Sequence, residues 1–152
     1  MNQGIARALS RSRSILLAAL LAAPFQASLA EGGPTPAPAN AHAYIGYPND
    51  GQTLPAGKPV RVWFGLRFMG VAPRGVKFPA TGHHHLLIDT DLPPLDQEIP
   101  SDRNHLHYGA GETETMLELP PGKHTIQLLL GDDKHIPHNP PVYSKKITIY
   151  VK

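Results

Sequence analysis

The chain alternates apolar and polar residues in short runs broken by proline and glycine. The pattern is plainest near the C-terminus, where Ile147, Ile149 and Val151 share one parity and Thr148 and Tyr150 the other. A period of two marks a strand buried on one face. Similar runs predict strands over His42–Tyr47, Val60–Phe68, His84–Thr90, Thr113–Leu119, His124–Leu130 and Lys145–Val151, with a shorter one at His105–Tyr108. Pro48-Asn49-Asp50-Gly51 and Pro120-Pro121-Gly122 supply turn residues between runs. Beyond Ala30 no stretch sustains an apolar period of 3.6, and the prolines interrupt most candidate helices. The expected fold is therefore all-β, an immunoglobulin-like antiparallel β-sandwich of about six to eight strands forming a single domain over residues 42–152. Met69–Thr81 and Asp91–Asn104, the latter with Pro93, Pro94 and Pro100, read as loops. Loops of that length in a small domain tend to carry function.

The N-terminus has a different composition. Arg7, Arg11 and Arg13 precede the apolar run Ile15–Ala23, and Ser28-Leu29-Ala30 follows as a small-x-small cleavage site. Residues 1–30 read as a secretory signal peptide, which places the mature chain in the periplasm or outside the cell. The apolar run breaks at Pro24, short of the roughly 20 residues that span a bilayer, so no membrane span is expected after cleavage. Residues 31–41, EGGPTPAPANA, read as an extended Pro-rich linker.

Removing the leader changes the charge balance. Lys plus Arg falls from 14 to 11 against 12 Asp plus Glu, so the remaining chain carries −1 with its histidines neutral. The basic excess belongs to the leader, which argues against a nucleic-acid partner. With no cysteine anywhere, there is no disulfide, thiolate ligand or thiol nucleophile. Any metal must be held through nitrogen and oxygen.

Nine histidines remain as the chief chemical feature, and eight of them fall between His83 and His138. Residues two apart on a strand point to one face, roughly 6.5 Å along the chain, so His83 with His85, and His105 with His107, can each present two imidazoles side by side. His84 must then point away. His135 and His138 lie in the proline-stiffened segment GDDKHIPHNPP. The ligands expected for a transition metal are His83, His85, His105 and His107, with His135 next and His84, His124 or His138 as replacements. His124 shares a face with Ile126, Leu128 and Leu130, so it also reads as a hydrogen-bonded residue at the core margin. Neutral imidazole suits copper and zinc over magnesium or calcium. Asp89, Asp91 and Asp102 are candidates to accept the free imidazole N–H groups.

Other chemistry is thinly represented. The mature chain has only Ser101 and Ser144, with no G-x-S-x-G elbow and no phosphate-binding G-x-x-x-x-G-K-[ST] loop. Glu112 and Glu114 alternate on an expected strand, as paired glycosidase carboxylates do, but a solvated sheet edge has the same pattern. Ala39-Asn40-Ala41 is a second small-x-small site, and cutting there would expose an amino-terminal His42 able to chelate copper. The segment from His42-Ala43 through Pro48 and Asp50-Gly51 to Val60-Arg61-Val62-Trp63-Phe64 resembles the mature start of the periplasmic copper-resistance C family, which implies copper carriage.

A broader resemblance runs from Tyr44 onward. Met69-Gly70-Val71-Ala72-Pro73, Thr81-Gly82-His83-His84-His85-Leu86-Leu87-Ile88-Asp89, Asn104-His105-Leu106-His107-Tyr108-Gly109 and Leu119-Pro120-Pro121-Gly122-Lys123-His124, then His135 and His138, are similar to the domain of unknown function 4399 family. That resemblance implies an exported β-rich domain and supplies no catalytic residues. Function is thus expected to be copper or zinc binding for sequestration, delivery or sensing. The alternatives are a metal-free envelope module that binds a protein partner or a glycan through its Pro-rich loops, and a copper or zinc enzyme with superoxide dismutase-like chemistry, which requires an open coordination position.

Overall fold

The computed structural model describes residues 34–152. The leader reading, residues 1–30, and the first three positions of the Pro-rich segment lie outside the described residues. Among the described residues there is no helix, and none is therefore long and apolar enough to cross a membrane.

The fold is an all-β sandwich. One sheet has three strands in the order β1 (His42–Tyr47), β3 (Val60–Arg67) and β7 (Glu114–Leu117), antiparallel throughout. The other runs β2 (Thr53–Leu54), β9 (Ile147–Val151), β8 (Gly122–Gly131), β5 (Thr81–Ile88) and β4 (Gly70–Val71), with β6 (His105–Tyr108) also paired to β5. Its long pairings are antiparallel, and the two-residue strands β2 and β4 pair in parallel with β9 and β5. These two short strands account for the difference between the expected and observed strand sets, since two residues carry no readable period.

Strand ends differ from the sequence expectation for local reasons. β3 stops before Phe68 and β5 before Asp89 because both residues adopt left-handed backbone, with φ of 63° and 53°. The Asp89 carboxylate then accepts the Thr125 amide at 2.7 Å, fixing the corner. Between the sheets, Ala43, Val62, Phe64 and Leu117 meet Leu86, Ile88, Ile126, Leu128 and the three alternating residues Ile147, Ile149 and Val151. The outer face of the larger sheet is also covered: Leu92, Leu95 and Ile99 from the Asp91–Asn104 loop pack on Leu87 and Leu129. That second layer makes the middle of β5 and β8 dry on both faces, the setting in which unbroken apolar runs such as Leu128–Leu130 are expected.

The Pro-rich segment is attached to the domain. Ala37 N–H donates to the Asn139 carbonyl at 3.0 Å and Asn139 N–H to the Thr35 carbonyl at 2.9 Å. Thr35 Oγ1 also bonds His138 Nδ1 at 2.7 Å.

Leu128 is fully buried at the centre of the inter-sheet layer, whereas Met116 on the outer face of β7 is 59% exposed. Leu128→Ala is expected to cost about 2–5 kcal/mol in urea unfolding, and Met116→Ala to stay within about 0.5 kcal/mol of wild type. Equal effects would contradict this placement of the core.

Candidate metal centre

The register of β5 with its two neighbours builds the site. His85 lies opposite His107 of β6 and Leu129 of β8, and His83 lies opposite Gly131. Directly paired residues share a face, so His83, His85, His105 and His107 belong to the outer face. His84 belongs to the inner one, where its ring stands 5.3 Å from that of Phe64. After β8 the chain reverses tightly: Asp132 Oδ1 accepts the amides of Lys134 and Ile136, each at 2.9 Å. His135 sits in this reversal with φ of 64°, a conformation uncommon outside glycine, and its carbonyl accepts the Ile99 amide at 2.8 Å. Three separate chain segments thus deliver rings to one place.

There His83, His85, His107 and His135 form a four-ring cluster, with all six centroid separations between 4.6 and 5.9 Å. One ring nitrogen each from His83, His107 and His135 lies within 4.8 Å of the others. An ion about 2.0–2.1 Å from each nitrogen in a tetrahedral shell sets its ligand atoms roughly 3.3 Å apart. His107 Nε2 and His135 Nε2 already stand at 3.0 Å, and without an ion one must donate to the other. Two glycines make the room. A Cβ on Gly109 would fall 2.2 Å from the His107 ring, and one on Gly131 would fall 2.8 Å from the His85 ring.

The electrostatics are set by the burial of His83 and His85. His83 is wholly buried with no hydrogen-bond partner at either ring nitrogen, and His85 has none at Nδ1. Burial, followed by repulsion from His135 and His107, pushes the His83 pKa down to about 4. Burial and its three ring neighbours push His85 to about 2, while His107 is lowered by burial and then by His135 and Arg74. Burial thus favours the neutral form of His83, His85 and His107, the form that ligates a metal. An unpaired buried nitrogen costs on the order of 1–3 kcal/mol, a deficit that a bound cation would remove. The donor set fits a borderline transition metal.

The remaining sequence candidates lie elsewhere. His105 is outside the three-residue group, its Nδ1 bonded to Asp102 at 2.9 Å. His84 points into the sandwich without a polar partner at either nitrogen. His124 is bonded at both nitrogens, Nδ1 to Asp89 at 2.8 Å and Nε2 to the Pro120 carbonyl at 2.9 Å, as a core-margin residue would be. His138 is buried and bonded to Thr35. His42 lies on β1 in the other sheet. Of the carboxylates, Asp89 and Asp102 do meet imidazoles, but those of His124 and His105, and Asp91 pairs with Lys146. Glu114 pairs with Arg61 on an exposed edge, and Glu112 caps the Ala110 amide just before the strand begins. The acid nearest the cluster is Glu98, 3.7 Å from His135 Nδ1, which sequence reasoning missed because it lies far along a loop. Gly109 and Gly131 were missed too, although each adjoins a quoted histidine motif.

Fold and site together define an all-β domain with a buried histidine cluster on the outer face of its larger sheet. Residues 62–152 match the family described as a domain of unknown function, DUF4399, and the chain belongs to that family. No curated protein and no solved structure is significantly similar to it.

In the metal-free protein the folded state keeps His83, His84 and His85 neutral, with pKa values of about 4, about 4 and about 2, while unfolded histidine titrates at 6.5. Their depressed values contribute stability above pH 6.5 that is lost as pH falls toward 4. The slope approaches about 1.4 kcal/mol per pH unit for each ring, or on the order of 4 for three, against a typical total of 5–15 kcal/mol. His124 acts in the opposite sense: burial lowers its pKa, but bonds to Asp89 and Pro120 raise it overall, so its contribution fades as pH rises. Urea midpoints of the metal-free protein are expected to fall steadily from pH 6.5 to 5, and a flat profile would contradict neutral burial of the triplet.

Proposed function

We propose that this chain is an exported metal-binding protein that holds one copper or zinc ion through His83, His107 and His135, with His85 as the adjoining fourth ring. The observation that carries the reading is the convergence of ring nitrogens from three segments within 4.8 Å, with His83 lacking any other polar partner. Hydrophobic packing alone does not call for four imidazoles in one place, and burying unpaired polar groups is unfavourable unless something else binds them. The Asp91–Asn104 loop roofs the site through Ile99, while His107 and His135 stay partly exposed, leaving one side reachable from solvent. Burial on one side and access on the other suit retention and transfer of an ion. The leader-like N-terminus suits a role in the cell envelope, for sequestration, delivery or sensing.

Thermal melting with and without copper(II) or zinc tests the reading. An ion at 100 times its Kd adds about 2.7 kcal/mol, or about 10 °C for a domain of this size. His107→Ala is expected to abolish that shift while melting close to wild type without metal, and His105→Ala to retain it. A wild-type melt unmoved by either ion, or a shift that survives His107→Ala, would defeat the proposal.

A further inference from the structure

The segment between β3 and β5 is built unlike the rest of the surface. Residues Pro73 to Pro79 are exposed without interruption and include Arg74, Val76, Lys77 and Phe78. Phe78 is 68% exposed, Val76 46% and Phe68 60%. Single exposed apolar residues are ordinary, but three of the molecule's large ones occupy this one excursion. The parallel pairing of Gly70 with Thr81 brings the chain just before each, Phe68–Met69 and Phe78–Ala80, to the same sheet edge. Phe68 holds a left-handed φ of 63°, a strained choice for a bulky residue.

Charge is equally one-sided. From Gly51 to Ile88 the chain has no Asp or Glu, while Lys58, Arg61, Arg67, Arg74 and Lys77 are all cationic. Arg61 is taken up by Glu114, and Arg67 lies over the Tyr44 ring at 5.6 Å. The loop itself is anchored through backbone bonds, Arg74 N–H to the Gly109 carbonyl at 2.8 Å and Gly75 N–H to the Asp133 carbonyl at 3.2 Å. Two acids flank it, Asp133, with Lys134 following, and Glu112 next to Gly111, which stands against Pro73.

We propose that this loop docks the protein reversibly on an anionic lipid surface, with Phe78, Val76 and Phe68 entering the headgroup boundary and Arg74, Lys77 and Arg67 meeting phosphate. Exposed apolar side chains interleaved with cations on one exposed loop supply the two signals that interfacial binding needs, apolar insertion and attraction to negative headgroups. A stable protein interface draws on roughly 20–30 residues a side, far more than this tip offers. The anchors at Gly109 and Asp133 lie two residues from His107 and His135, so a docked loop would bring these partly exposed rings near the membrane surface. The lipid proposal does not depend on the metal reading.

The test is co-sedimentation of leader-free protein, residues 31–152, which contain the whole of both hydrophobic clusters, with vesicles of equimolar phosphatidylglycerol and phosphatidylcholine. Binding is expected at low ionic strength and should weaken with added salt. Arg74→Gln and Lys77→Gln should each lower affinity about fivefold, and Phe78→Ser about tenfold. Met116→Ser, an exposed apolar change on the other sheet, should leave it unaltered. Circular dichroism melts of the variants should match wild type, since the altered side chains are exposed. Absence of sedimentation, equal binding to pure phosphatidylcholine, or indifference to the loop substitutions would overturn the proposal.

Discussion

The register of β5 between β8 and β6 decides where the chemistry of this domain goes. Because side chains alternate along a strand, the triplet His83-His84-His85 is split, two rings outward and one inward, and the pairing of His85 with His107 brings in a ring from a strand some 20 residues later. A slip of one residue would send His83 and His85 into the inter-sheet layer and turn Leu86 and Ile88 to the outer face. The same apolar residues that hold the sandwich together therefore fix the site, with Leu86 and Ile88 acting as the inward counterparts of the outward histidines.

This arrangement works against stability in the absence of a ligand. Neutral imidazoles are buried without partners on a face that the Asp91–Asn104 loop keeps dry, and the same burial depresses their basicity. An all-apolar face would pack as well with fewer unsatisfied groups. A sequence that retains such a cluster is consistent with a function placed there, and the left-handed backbone at His135 is a further local conflict at the same spot.

Much of the fold was legible because its signals are local. The period of two in Ile147–Val151 and the turn residues at Pro48–Gly51 and Pro120–Gly122 predict strands where strands occur. The HxH spacings predict shared faces, and they do share them. The limits are equally physical. Which neighbour a strand takes depends on tertiary packing, so the sequence offered no reason to separate His107, which joins the cluster, from His105, which binds Asp102. The contributions of Gly109 and Gly131 consist of absent atoms, visible only once the rings around them are placed. Glu98 reaches His135 through loop closure, and the composition of residues 31–41 gave no sign that Thr35 and Ala37 would pair with the domain.

X-ray absorption at the metal edge of the zinc-loaded protein counts and identifies the atoms around the ion. One ion per chain is expected, with nitrogen neighbours at about 2.0–2.1 Å, more distant scattering from three or more imidazoles, and one imidazole fewer in His135→Ala. A shell dominated by oxygen, or an ion whose surroundings are unchanged by that substitution, would show that the rings gather for some reason other than holding a metal.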